Sequence, residues 1–201
     1  VVTGRVSNNQ TATASSVTEA TSGAGADAVV QSGGDLGTTG IDSEVVNLGG
    51  DATLTGSAQV AQVAGATITT GDADASGTAE GGITGVSNTT GLDANADLTV
   101  DADAVLSIDT DATNTSGGAT TSATSTQAGV AIGFEQLGDF DVAGDFTVDA
   151  DAQATLDATA ISNANDATAQ SVGTGQITGA QFDNTGGGLQ TVIGGDASIL
   201  A

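Results

Sequence analysis

One short phrase returns four times along this 201-residue chain, as Gly50-Asp51-Ala52-Thr53-Leu54, Ala96-Asp97-Leu98-Thr99-Val100, Gly144-Asp145-Phe146-Thr147-Val148 and Gly195-Asp196-Ala197-Ser198-Ile199. Its aspartates stand 46, 48 and 51 residues apart. A period of that size marks a repeat architecture, in which each unit buries its apolar side against its neighbours. The units run over about 1–48, 49–94, 95–142 and 143–193, with 194–201 opening a further one, so the whole of 1–201 reads as one continuous array. A second coincidence keeps the same register: Ile83 and Ile177, each followed by Thr-Gly, lie thirty-two residues beyond Asp51 and Asp145. The third unit carries only a displaced version near Ile132 and Gly133, so the spacer varies in length and the variation belongs in loops.

Inside a unit the period is two. Leu98, Val100, Ala102 and Ala104 alternate with Thr99, Asp101 and Asp103, and Phe146 to Ala152 repeats the division with Thr147, Asp149 and Asp151 outward. That alternation is the signature of a half-buried strand. Ala52, Leu54, Gly56, Ala58 and Val60 keep the inward pattern in the second unit, but the outward residues there are Thr53, Thr55, Ser57 and Gln59. No apolar stripe of 3.6-residue period reaches helical length, and the reading is all-β. Gly49-Gly50, Gly81-Gly82, Gly117-Gly118, Gly186-Gly187-Gly188 and Gly194-Gly195 are expected to supply positive-φ corners. The small inward residues suit a narrow β-solenoid of roughly 48-residue units, two coils of ~24 residues to each, stacked ~4.8 Å apart. The alternative is a row of β-sandwich domains, which normally need larger buried side chains.

Composition narrows the function. The chain carries one cation, Arg5, against 25 acidic residues, for a net charge of −24. Nucleic acid needs a basic surface, and anionic lipid repels such a chain. No apolar run approaches the ~20 residues that span a bilayer, so membrane insertion is not expected. There is no Cys to hold the fold with disulfides. Leu, Ile, Val and Phe make up about a fifth of the residues, near the level at which charged chains lose their fold. Absence of Pro, a mean hydropathy of +0.09 and the strict alternation favour folding.

With no His, Cys, Lys, Tyr or Trp, general-base and nucleophile roles fall to carboxylates and hydroxyls alone. A glycosidase-like carboxylate pair is formally open, but no aromatic platform accompanies it, and the chain is not expected to be an enzyme. The outward aspartates fit two readings. One is a solvated acidic face that keeps an extended array soluble. The other is a set of Ca²⁺ ligands, Asp101, Asp103, Asp109, Asp111, Asp149, Asp151 and Asp157, since Ca²⁺ takes six to eight oxygens. The spacing matches neither an EF-hand nor the Gly-Gly-x-Gly-x-Asp calcium repeat. No cofactor is required beyond such a Ca²⁺. Thr-x-Thr pairs at Thr11 to Thr13, Thr53 to Thr55 and Thr67 to Thr69 raise an ice-binding face as a third reading, weakened by aspartate at the aligned Asp101 and Asp149.

Asp196 is followed by only five residues, and there is no Met. The expectation is a processed product or an excerpt, either one stretch of a longer array or a subunit that stacks head to tail on copies of itself. In its repeats and its Ala, Thr, Gly, Asp, Ser and Asn richness, the chain is similar to the repeat regions of large secreted bacterial surface proteins, β-solenoid adhesins and extracellular matrix filaments. The resemblance implies an extracellular or cell-surface setting and a structural or adhesive role. It assigns no functional residue.

Overall fold

The computed structural model describes residues 6–22, 28–34, 38–69, 72–115, 120–163, 166–183 and 190–201. All of the regular structure in them is strand. The chain first lays down β1 (Val6–Ser22), β2 (Ala28–Gly34) and β3 (Thr38–Leu48). It then repeats the course with β4 (Ala52–Ile68), β5 (Ala73–Ala79) and β6 (Ile83–Ala94). A third pass holds β7 (Leu98–Asn114), β8 (Thr121–Gln127), β9 (Ala131–Gln136) and β10 (Asp139–Val142). The fourth holds β11 (Phe146–Ser162), β12 (Ala167–Gly173), β13 (Ile177–Phe182) and β14 (Thr191–Ile193), and β15 (Ala197–Leu200) ends the chain.

These strands form three sheets of parallel neighbours. The first is ordered β1-β4-β7-β11-β15, the second β2-β5-β8-β12, and in the third β6 lies beside β3 with β9 and β10 on its far side, followed by β13 and β14. Every strand therefore pairs with its counterpart one repeat away: Val6, Ala52, Leu98, Phe146 and Ala197 share one column. Two coils to a unit would pair segments ~24 residues apart, and no described pair does so. One unit instead crosses all three sheets before it meets itself. Parallel pairing throughout also sets the chain apart from the antiparallel β-sandwich. The architecture is all-β, built of stacked parallel strands, and compatible with a β-solenoid.

The period-two alternation is realised as read. Leu98, Val100, Ala102 and Ala104 are buried, Asp101 is exposed and Asp103 half-buried. The second repeated motif has a different role from a simple turn. Gly85 and Gly133 occupy matching positions between paired residues, since Thr84 faces Ile132 and Val86 faces Phe134. A Cβ on Gly85 would lie 2.7 Å from the backbone N and O of Asp103, and one on Gly133 would lie 2.9 Å from the carbonyl of Ala102. Glycine here lets the third sheet touch the backbone of the first. This pinch separates a lobe built on Leu54, Leu92, Leu98, Val100, Phe134 and Phe146 from one built on Val60, Ile83, Leu106 and Ile108. All four Phe of the chain gather in the wider lobe; the rings of Phe140 and Phe146 meet at 4.7 Å and those of Phe134 and Phe182 at 5.5 Å. Buried aromatics fill the breadth that Ala and Val leave open.

The displaced motif of the third unit is explained by the pairing. Ala131, not Ile132, faces Ile83, because the link between β7 and β8 is two residues longer than that between β4 and β5. Where the third sheet jogs, between β9 and β10, a buried amide pair holds it. Nε2 of Gln136 donates to Oδ1 of Asn88 at 3.1 Å and to the carbonyl of Gly138 at 3.2 Å, and Asn88 donates to the carbonyl of Gly91.

Candidate functional site

Two features carry chemistry: the aspartates on the outer face of the first sheet, and the strand edges at its C-terminal end. Strand alternation puts Asp101, Asp103, Asp109 and Asp111 of β7 outward, and one repeat later Asp149, Asp151 and Asp157 of β11. Pairing then sets Asp149 beside Asp101, Asp151 beside Asp103 and Asp157 beside Asp109, while Asp111 faces Thr159. On the other side of β7 the same columns hold Thr55, Ser57, Val63 and Gly65, so the carboxylate columns are two residues deep. Val105, Ser107, Gln153 and Thr155 divide them into two groups along the strands.

Crowding shows in two carboxyls. Partial burial, followed by the charges of Asp101, Asp151 and Asp149, pushes Asp103 above its ordinary pKa. Partial burial and then Asp111 and Asp157 do the same for Asp109. Among the described residues no group of three or more His, Cys, Asp or Glu side chains is placed to hold a metal ion. A Ca²⁺ at a stacked pair would draw most of its oxygens from water.

Sequence reasoning missed what the corner aspartates do. Oδ1 of Asp97 accepts the backbone N–H of Asp145 at 2.9 Å, and Oδ1 of Asp145 accepts that of Asp196 at 2.9 Å. Gly144 and Gly195 precede those donors because a Cβ on either would collide with the carboxylate beneath. Where Ala96 stands instead, Asp51 makes no such bond to Asp97 among the described residues. The recurring Gly-Asp is thus a clamp between repeats, and Gly194 and Gly195 serve it without the positive φ expected of them; Gly82 lacks a positive φ as well. Gly117-Gly118 and Gly186-Gly187-Gly188 lie outside the described residues. Asp139 clamps in the same way, accepting the N–H of Gln190 at 2.9 Å beside a shallow pocket of about 240 Å³ lined also by Phe140, Asp141 and Val192.

Of the Thr-x-Thr pairs, only the third finds threonine across the strands, Thr67 lying between Thr21 and Thr113. Thr11 faces Ser57 and Thr13 faces Gln59, and Thr55 faces Asp101. A single column does keep its hydroxyls, through Ser7, Thr53, Thr99, Thr147 and Ser198.

The last described feature is an edge. β15 covers only Phe146–Asp149 of β11, and beyond it Ala150–Ser162, β12 and β13 have no strand on their outer side among the described residues. Ile161, Ile177 and Leu200 are 51%, 49% and 67% exposed there, against 0–2% for Ile83, Leu106 and Ile108 in the middle of the stack. Among the described residues no helix is long and apolar enough to cross a membrane. Comparison of the chain with protein-family models, curated proteins and solved structures finds no match.

Proposed function

We propose that the stacked sheets are the faces of a β-solenoid with one turn per repeat, and that the protein is a structural element of an extracellular fibre on a cell surface or in a matrix. One observation carries this reading: successive repeats bond in register along three sheets at once. Backbone ladders and corner clamps then bear load along the axis, and the acidic exterior keeps neighbouring fibres apart. The partner is a further repeat, in a tandem chain or in another copy of this one. Electron microscopy of the native material, with and without chelator, tests the reading. Long unbranched filaments a single stack wide are expected, and a monodisperse short particle overturns it. The stacked carboxylate pairs favour a second reading, a Ca²⁺-dependent adhesin or binding module, for which filaments that fall apart on chelation are the mark.

A further inference from the structure

We infer that two fibres pair side by side through the outer face of the second sheet, each laying that face on the same face of a second copy, once salt screens the charges at its rim. This rests on the fibre reading and adds which surface meets its like. The four strands of that sheet, β2, β5, β8 and β12, carry a single acid, Asp74. In the first sheet β7 and β11 alone carry the seven aspartates from Asp101 to Asp157, and the third keeps Asp93, Asp139 and Asp141 exposed. Alternation turns Ser76 and Thr78 of β5 outward, with Ser122, Thr124 and Thr126 of β8, each half-buried. Pairing sets Thr124 beside Ser76, Thr126 beside Thr78 and Asp74 beside Ser122, so the face is a grid of short hydroxyl side chains without stacked carboxylates. In a chain of net charge −24, contact through it brings in one carboxylate per copy, whereas either other face opposes several.

Area sets when the contact holds. Four seven-residue strands, rising ~3.3 Å per residue and lying ~4.8 Å apart, present roughly 440 Å² per copy. A standard interface takes about 800 Å² from each partner, which a stack of about eight repeats supplies. Pairing therefore belongs to fibres and not to lone chains. Hydroxyls both donate and accept hydrogen bonds, so the face is complementary to itself. A contact of that kind is isologous and closes at two fibres. Asp72 and Asp166 flank the face at one rim and Glu80 at the other. Across sheets packed ~10 Å apart, these charges lie inside the ~30 Å Debye length of 0.01 M salt and outside the ~3 Å of 1 M. Dilute salt keeps the stacks single and concentrated salt lets them pair.

Electron microscopy of fibres in dilute salt and in 1 M NaCl tests the contact. Thr124→Asp places a carboxylate at the centre of the face, and Ser76→Asp repeats the test one strand away if the first variant fails to fold. Thr99→Asp, on the outer face of the first sheet, is the charge-matched control. The parent and Thr99→Asp are expected to form single stacks in dilute salt and filaments two stacks wide at 1 M NaCl, while Thr124→Asp stays single in both. Parent filaments that remain single at 1 M NaCl, or Thr124→Asp filaments that pair as readily as the parent, overturn the inference and leave the fibre reading standing. Single filaments that instead co-sediment with microcrystalline cellulose, and lose it in Thr124→Asp, overturn a second copy as the occupant in favour of an uncharged glycan. No filaments of any width overturns the fibre reading as well.

Discussion

At the scale of single residues, this fold is governed by how closely backbones approach. Gly85 was legible as a repeated position but not as a contact, because a motif's recurrence carries no distance. In the structure a Cβ at Gly85 meets backbone oxygens 2.7 Å away on both Asp103 and Gly133, groups that cannot swing aside. Gly85→Ala is expected to cost roughly 1–3 kcal/mol through overpacking, read as a lower urea midpoint. Gly82→Ala is its control, since there the added carbon meets only a methyl of Val130 at 3.5 Å. The outward aspartates make a second residue-scale prediction. Asp103 is raised above the ordinary 3.8, so the native state holds its proton more tightly than the unfolded chain. That contribution to stability is whole below the ordinary value and is lost as pH rises through the native one. Asp103→Asn should then raise the Tm at pH 7 and leave it nearly unchanged at pH 3. An equal shift at both pH values would mean that neither the partial burial of the Asp103 charge nor its repulsion by Asp101, Asp151 and Asp149 is the cause.

Among elements, β7 and β11 were readable because apolar residues alternate with polar ones along their first halves. β6 and β9 were not, since they pass the glycine pinch and bury Thr84, Ser87, Asn88 and Gln136, which binary patterning assigns outward. Coil number was also hidden: a sequence period states how often the chain returns, and only pairing states how many sheets it crosses on the way. Small inward residues suggested a narrow tube of short coils; the pinch and the Phe cluster make a broader one possible. Two buried glutamines on these elements should respond to the same substitution with opposite sign. Gln136 supplies hydrogens to Asn88 and to the carbonyl of Gly138, so Gln136→Leu strands buried acceptors at a cost of about 1–3 kcal/mol. Neither amide atom of Gln62 has a partner among the described residues, although the side chain is buried between strands. Gln62→Leu removes that unpaid desolvation and should stabilise by up to about 1–3 kcal/mol. Chemical denaturation of both variants beside the parent decides the point.

For the whole molecule, the opposing forces are backbone ladders that favour adding repeats and like charge that disfavours it. With 25 acidic residues and one cation, little of the repulsion is relieved within the chain. Carboxylates in neighbouring strands stand ~5 Å apart, inside the ~8 Å Debye length of 0.15 M salt but beyond the ~3 Å of 1 M. Physiological salt therefore screens distant charges and leaves the stacked pairs Asp101 with Asp149, Asp103 with Asp151 and Asp109 with Asp157 largely unscreened. The Tm is expected to keep rising with NaCl between 0.15 and 1 M, where a protein held by surface ion pairs would level off or fall. Divalent ions separate screening from binding. At matched ionic strength, CaCl₂ and MgCl₂ should raise the Tm alike if the columns are a solvated acidic face, because diffuse screening depends on charge and not on coordination number. A rise particular to Ca²⁺ and reversed by chelation would shift the assignment to the Ca²⁺-dependent module, with the stacked pairs as its ligands.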